Sequence, residues 1–329
     1  MSSFSTLMHV ALSLLTTSTV LLAPAILPAF PQPSLSITSG NTTGSYYAAS
    51  SAIAKIFNRK SADYEIRIET VASEGSVVNV DSVVEGKAAF GIGESIILQQ
   101  AAKGMGPWEG KARTGLRAVL GLHVEAVTVV AAADREIRHV GDLKGKRVNI
   151  GAPGSSSYEY GANLLELSGV NPADVTLSGH PAALASELLQ KGEIDAYIYT
   201  VGHPNLSVLE ASTGKRKVLL VPLDKQLIEQ VTTRNPLLLP AVIPTSFYPN
   251  LERQGVVPTI GVRAVLFTRA DVTEETVYRL VREVIGNFDL FRRQHPVLQD
   301  LTPREAADGG VIPLHPGATR YFREAGFAQ

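Results

Sequence analysis

The chain has 329 residues, and 45% of them are hydrophobic, which is enough for two domains with buried cores. It carries 30 Lys and Arg against 31 Asp and Glu, and the formal charge of -1 gives no overall attraction to nucleic acid or an acidic membrane surface. There are no cysteines, which excludes disulfides, thiolate nucleophiles, most zinc sites and a lipid-anchoring cysteine. We therefore expect a globular protein whose partner is not a polyanion.

The first 33 residues differ in composition from the rest of the chain. The segment 8–22 is mostly apolar, no acidic residue precedes Asp63, and Ala23-Pro24-Ala25 fits the small-x-small rule of a cleavage site. This pattern predicts an export signal over residues 1–25, with cleavage after Ala25 or, as second choice, after Ala29. Because no Lys or Arg precedes the apolar segment, two alternatives stay open: an uncleaved membrane anchor and a wrongly assigned start.

From Leu35 onward, a short β-like run, a turn rich in Gly and Ser, and a helix of 3.6-residue periodicity recur along the chain. In the first unit, the turn SGNTTGS (39–45) leads into a helix with one apolar face formed by Ala49, Ala52, Ile53, Ile56 and Phe57. Further β-like runs follow at 65–71, 88–92, 147–150 and 194–199. The alternation predicts an α/β fold.

Two long β-branched runs, Leu116 to Ala132 and Val256 to Thr268, divide this alternating pattern. We interpret them as crossings between two α/β lobes, with the second lobe inserted into the first. The C-terminal helices, predicted over 274–294 and 317–325, would pack back on lobe one. The predicted limits are 34–122 for the first part of lobe one, 123–256 for lobe two, and 257–329 for the return strand and C-terminal helices.

Ligands of open α/β sheets bind beyond the carboxyl ends of the strands, where helix N-termini offer unpaired N–H groups and a partial positive charge. Each turn taken alone fits ordinary helix capping, which favours the same Ser, Thr and Gly. Their joint placement favours one cleft between the lobes, with Tyr47 and Tyr199 as its walls and one of Tyr46 and Tyr47 in the core. The predicted ligand-binding residues are Gly40, Thr43, Gly44, Tyr47, Ser76, Glu94 and Ser95 from lobe one, and Ser155, Ser156, Ser157 and Tyr199 from lobe two.

Glu74 and Glu94 are acidic residues beside these turns, and two interpretations of them remain open. They complement helix dipoles, an effect worth about 0.3–1 kcal/mol, or they recognise a cationic part of the ligand such as an α-ammonium group. A carboxylate of the same ligand would rest on the helix N-termini.

Catalytic and metal motifs are missing from the sequence. No Walker A lysine follows the first turn, there is no G-x-S-x-G elbow, and no two-histidine metal spacing occurs. His203, His295 and His315 each precede a proline, which favours structural roles in turns. We predict no catalytic residue, no cofactor and no metal, although a Ser-His-Asp arrangement assembled from distant positions stays possible.

Many segments, in one order, resemble the TAXI family, the extracytoplasmic solute receptors of tripartite ATP-independent periplasmic (TRAP) transporters. The resemblance covers Leu35 to Phe327. Its segments include ITSGNTTGSYY, EGSVVN, LRAVLGLHVEAVTVVA, DLKGKRVNIGAPGS, IDAYIYTVGHPN, NPLLLPAVIP, NFDLFRRQHP and PLHPGATRYFREAG. It implies a type II periplasmic-binding-protein fold that closes by a hinge around a small solute, such as glutamate, glutamine or a related carboxylate.

Two departures from the family pattern concern the ligand. Where the family often has Q-S-D this chain has Glu94-Ser95-Ile96, and where it usually has G-G-S the chain has Glu74-Gly75-Ser76. The resemblance implies a monomeric periplasmic receptor, not an enzyme, that delivers its solute to a membrane permease driven by an ion gradient. An enzyme on the same bilobal fold and a receptor that feeds a sensor remain the alternatives.

Overall fold

The strands form one hydrogen-bonded mixed sheet in a computed structural model that describes residues 34–327; the predicted export signal lies outside the described residues. The strand order is β2-β1-β3-β10-β4-β7-β5-β6, with β8 also paired to β4 and β9 to β10. The strands are β1 (Ser34–Thr38), β2 (Arg67–Val71), β3 (Phe90–Glu94), β4 (Leu116–Ala132), β5 (Arg147–Asn149), β6 (Thr176–Ser178), β7 (Ala196–Val201), β8 (Val218–Val221), β9 (Leu238–Pro244) and β10 (Val256–Arg269).

Helices connect the parallel strands and cover the sheet. No helix within residues 34–327 is long and apolar enough to cross a membrane. The helices are α1 (Ser45–Phe57), α2 (Ser61–Tyr64), α3 (Ser76–Val84), α4 (Ser95–Lys103), α5 (Ser156–Leu167), α6 (Ala182–Lys191), α7 (Leu206–Thr213), α8 (Lys225–Arg234), α9 (Glu274–Gly286), α10 (Phe288–Arg292), α11 (Pro303–Ala307) and α12 (Pro316–Glu324).

The two long strands β4 and β10 each belong to both halves of the sheet. One end of β10 pairs with β3 while its other end pairs with β9. In the same way, β4 pairs with β10 at its start and with β7 and β8 at its end. We call the half with β1–β3, α1–α4 and α9–α12 lobe one, and the half with β5–β9 and α5–α8 lobe two. The long strands are the connections between them.

Each lobe has its own apolar core. In lobe one, the predicted face of α1 is buried against β1 and β3 and against the C-terminal helices α9, α10 and α12. Ile53 and Phe57 are fully buried there, and burial of such a side chain is worth about 1.5–3 kcal/mol. In lobe two, β5, β7 and β8 pack against α5 and α8 on one face and against α6 and α7 on the other.

Several element boundaries differ from the sequence predictions, among them those of β3, β7 and the first C-terminal helix. Strands β3 and β7 each begin and end two residues later than predicted, so that Glu94 is the last residue of β3. The helix predicted over 274–294 is broken at Asn287, where φ is -118° and ψ is 35°. The amide of Asn287 donates through both its backbone and its side chain to the carbonyl of Glu283, which ends α9.

Candidate functional site

The N-termini of α1, α3, α5 and α6 meet at a cavity of about 50 Å³ between the lobes. Strands β1, β2 and β3 are parallel, so the helices that follow them begin at one edge of the sheet. In lobe two, strands β5 and β7 are also parallel, so their carboxyl ends lie at one edge of the sheet. The cavity therefore lies at the carboxyl ends of two sets of parallel strands.

The two lobe-one helices that begin at the cavity, α1 and α3, follow glycines that offer no side-chain cap. Gly44 precedes α1 and Gly75 precedes α3, and neither helix start receives a side-chain hydrogen bond from its cap residue. Gly75 has a φ of 122°, which only glycine adopts readily. The first N–H groups of a helix have no acceptor within the helix, so the positive ends of two helix dipoles face the cavity, where the Val77 N–H of α3 is paired with the Gly154 carbonyl.

Seven of the eleven predicted ligand-binding residues line the cavity. Ser155 and Ser157 also have structural partners: the Ser155 hydroxyl caps α5 by accepting from the Tyr158 N–H at 3.2 Å, and the Ser157 hydroxyl accepts from the Thr200 N–H at 2.9 Å. The seven are Gly40, Gly44, Ser76, Ser155, Ser156, Ser157 and Tyr199.

The other four predicted residues lie outside the lining. The Thr43 hydroxyl donates to the side chain of Asn41 at 2.9 Å, and Tyr47 lies half-buried on α1. Ser95 is buried as the first residue of α4, and Glu94 is fully buried directly before it. Thr43 and Tyr47 therefore do not have the cavity positions that the sequence suggested.

The Glu94 side chain lies just behind the cavity, with none of its surface exposed. Neither carboxyl oxygen has a hydrogen-bond partner of good geometry, while the Glu94 backbone N–H donates to the Ser76 hydroxyl at 3.2 Å. Burial, and after it the negative charge of Glu125, raises the pKa of Glu94 well above its usual value, and the nearby Ser156 hydroxyl only partly opposes this.

Glu125, on β4, is the main site residue that the sequence analysis missed. It lines the cavity, is 3% exposed, and accepts from the Ser45 hydroxyl at 2.6 Å. Its carboxylate lies 3.5 Å from Nε2 of His123, which points to the same face of the strand. The sequence did contain a signal for Glu125: an acidic residue inside a long apolar strand needs a partner or a function to offset the cost of its burial.

Two tyrosine hydroxyls complete the polar lining. The Tyr46 hydroxyl lies 3.3 Å from the Ser76 hydroxyl, so Tyr46, and not Tyr47, has the position predicted for a cavity wall. Burial, followed by the negative charges of Glu125 and Glu94, raises the pKa of Tyr46. Burial also raises the pKa of Tyr199, to which Glu125 contributes. Both phenols are therefore neutral hydrogen-bonding groups at physiological pH.

The two lobes touch each other around the cavity. The Val77 N–H of lobe one donates to the Gly154 carbonyl of lobe two at 3.2 Å. The Asn205 side-chain amide donates to the Thr43 carbonyl at 3.0 Å, and the Gly202 N–H donates to the Ser45 hydroxyl at 3.2 Å. Three hydrogen bonds across the cleft describe a closed arrangement of the lobes.

His203, near the site, has structural partners, whereas neither ring nitrogen of the buried His123 has a hydrogen-bond partner of good geometry. The His203 ring lies between the Thr128 hydroxyl at 2.8 Å and the Tyr248 hydroxyl at 2.6 Å, and burial lowers the pKa of His203 to about 3. Within the described residues, no group of three or more His, Asp or Glu side chains is placed to hold a metal ion.

The sequence matches the NMT1-like family over residues 37–326. The chain belongs to the NMT1-like family. Among solved structures, a protein of Bordetella bronchiseptica RB50 is 16% identical, with a TM-score of 0.56, and the match covers 90% of this chain and 99% of that one. A protein described as an L-cystine ABC transporter from Listeria monocytogenes is 11% identical, with a TM-score of 0.50, and the match covers 83% and 99%.

These similarities confirm the predicted fold of this NMT1-like protein. It has the mixed α/β fold of periplasmic solute-binding proteins, with two α/β lobes on a central sheet and long strands between them.

Proposed function

We propose that this protein is an extracytoplasmic receptor that captures a small carboxylate or amino acid between its lobes. The observation that carries the proposal is the convergence of four helix N-termini on one polar cavity, with hydrogen bonds between the lobes around it. Unpaired helix N–H groups bind a carboxylate without any arginine. A solute that contacts both lobes stabilises the closed arrangement, because it makes its full set of contacts only there.

The fold and the family support a receptor. The protein from Listeria monocytogenes, described as an L-cystine ABC transporter, shares this fold, and solute capture by lobe closure is one use of such a fold. On the resemblance to TAXI sequences, we propose that the permease partner is of the TRAP type and that the residues 1–25 direct export to the periplasm. We propose that the receptor works as a monomer with lobe limits at 34–122, 123–256 and 257–329.

The first test is a search for the solute. Protein purified after expression of the full chain would be unfolded and refolded to remove carried solute, and then screened by thermal shift against amino acids, 2-oxo acids, dicarboxylates and small amines. A solute at about 100 times its Kd stabilises the folded state by about 2.7 kcal/mol. Recovery of the same solute by mass spectrometry from untreated protein would agree with the screen. If no compound shifts the melting curve, the receptor proposal is wrong.

Two further measurements separate a receptor from its alternatives. An NMR spectrum of the solute after long incubation with the protein should be unchanged, whereas conversion would indicate an enzyme. Uptake into liposomes that contain the TRAP permease should require both the receptor and an ion gradient. Uptake that needs ATP instead would reject the TRAP-type partner while leaving the receptor in place.

A further inference from the structure

Two carboxyl groups lie on the same face of the sheet beside the cavity. Glu94 on β3 and Glu125 on β4 flank β10, where Glu94 pairs with Ala264 and Glu125 pairs with Val262. Paired residues of antiparallel strands share a face, and so do alternate residues of one strand. The small side chain of Ala264 lies beside Glu94 on this face of the sheet.

The two carboxyl groups have very different surroundings. Glu125 is stabilised by the Ser45 hydroxyl at 2.6 Å and has His123 at 3.5 Å. Glu94 is fully buried, and neither of its carboxyl oxygens has a hydrogen-bond partner of good geometry, although the Ser156 hydroxyl lies nearby. A buried, unpaired carboxylate next to a second one is strongly unfavourable. The Glu94 carboxyl is therefore the one that keeps a proton when the pocket is empty.

The other titratable groups around the pair do not supply a cation to Glu94. Tyr46 from α1 and Tyr199 from β7 are phenols, and Glu74, before α3, is acidic. His123 lies next to Glu125 rather than Glu94. None of the described residues that line the cavity is a lysine or arginine. Apart from His123 beside Glu125, a positive charge for this pair has to come from the solute.

We propose that the solute carries a protonated amine that binds between Glu94 and Glu125, and that its binding releases the proton held by this pair. The inference rests on the proposed receptor function and narrows the solute to an ammonium-bearing compound. The O–H bond of Glu94 breaks, its proton passes to bulk water, and the amine nitrogen donates hydrogen bonds to both carboxylates. The pair carries one negative charge before binding, and the pair together with the ammonium group carries one negative charge after it, so this part of the site gains no net charge.

The geometry of Glu94 supports this exchange. In the empty pocket, burial raises the pKa of Glu94 well above its usual value, with the charge of Glu125 as the second cause. A cation placed between the two acids reverses the effect of that neighbouring charge. Glu94 therefore binds a proton or an ammonium group, but not both.

Matched compounds test the charge of the solute. The thermal-shift screen would compare L-alanine with pyruvate and L-glutamate with 2-oxoglutarate, because each 2-oxo acid has a carbonyl oxygen where its amino acid has the amine. It would also include putrescine as an amine without a carboxylate. We expect an amino acid to stabilise the protein and its 2-oxo acid not to. A 2-oxo acid that binds as well as its amino acid would overturn the amine site but leave a receptor. Stabilisation by putrescine alone would support the amine site and reject the carboxylate, and no shift at all would overturn both proposals.

Calorimetry measures whether a proton is released when the solute binds. The best-stabilising amino acid would be titrated into the protein at pH 7 in phosphate and in Tris, whose ionisation enthalpies differ. The difference in heat should correspond to about one proton released per solute bound. Binding with no proton release would overturn the shared-proton proposal.

The variant Glu94→Gln imitates the protonated carboxyl and should fold without loss of stability. It should bind the same amino acid about 100-fold more weakly, with proton release reduced to zero. Glu109→Gln removes the same charge at an exposed position away from the cavity and should leave both values unchanged. If Glu94→Gln bound the amino acid with wild-type affinity, the amine would not be held by Glu94.

Discussion

Gly154 offers a direct test of whether the closed contact between the lobes contributes to solute binding. Its φ is +88°, and a Cβ at this position would lie 2.8 Å from Cγ2 of Val78 in the other lobe. Non-bonded carbon atoms prefer about 3.5–4.0 Å, and the valine side chain is stiff at χ1. Gly154→Ala should therefore hold the lobes apart.

Two costs of Gly154→Ala have to be separated. The left-handed backbone costs an L-residue about 1–2 kcal/mol whether the lobes are open or closed. The clash with Val78 arises only on closure, and overpacking of this kind costs about 1–3 kcal/mol. Because the second cost opposes the closed state alone, the Kd of the bound solute should rise by about 5-fold to 150-fold.

Gly169→Ala is the matched control. Gly169 has a φ of +77°, and a Cβ there would have open space around it. Both variants should lower the Tm of the solute-free protein by a similar amount, as measured by calorimetry. Only Gly154→Ala should weaken binding, measured with the amino acid that stabilises the wild type best. Equal affinities of the two variants would show that the contact between Gly154 and Val78 is absent from the bound state.

Two other substitutions probe the closing contact and lobe two. Asn205→Asp keeps the side-chain oxygen that accepts from the Val208 N–H at 3.2 Å, but it loses the N–H group that donates to the Thr43 carbonyl. Solute affinity should therefore fall about 10-fold, while the Tm should stay nearly unchanged. An unchanged Kd would show that this hydrogen bond does not contribute to the bound state. Burial alone would raise the pKa of Asp195, but the hydrogen bonds and the charge of the partly exposed Arg147 outweigh it and lower this pKa to about 2. Asp195→Asn should therefore lower the free energy of unfolding by about 1–2 kcal/mol at pH 7, as measured by chemical denaturation. A carboxyl group whose pKa is lower in the folded state than the ordinary value of 3.8 stabilises the folded state at pH values above 3.8. The difference in unfolding free energy between Asp195→Asn and wild type should therefore shrink as the pH falls from about 4 toward 2. A difference that stays constant over this range would contradict this cause.

The sequence predicted the framework well because its signals are local. The run Leu116 to Ala132 is β-branched and apolar without a break for a turn, and it forms one strand with the predicted bounds. The apolar face of α1 follows helical spacing and is buried as predicted. The turns that precede α1, α3 and α5 lie at the cavity because a strand, a turn and a helix in that order fix where the helix begins.

The missed residues depend on information that is not local. Glu125 lies in the middle of a strand, and its proximity to Glu94 follows from the antiparallel placement of β10 between β3 and β4. No spacing in the sequence encodes that order. Tyr46 was a different case, since it is three residues before Ala49 and shares the buried face of α1. This face of α1 packs against the core along most of the helix, but at the first turn it lies against the cavity.

In the proposed receptor, Ser45 would connect the recognition of the amine to the closure of the lobes. Its hydroxyl donates to Glu125 and accepts from the Gly202 N–H of lobe two. A hydroxyl donates only one hydrogen, so the bond to Glu125 orients its lone pairs toward the other lobe. An amine that draws the Glu125 carboxylate away from Ser45 would free that hydrogen, whereas one that binds beside it preserves the contact with Gly202. We therefore expect the closed arrangement to favour solutes whose amine fits next to this bond.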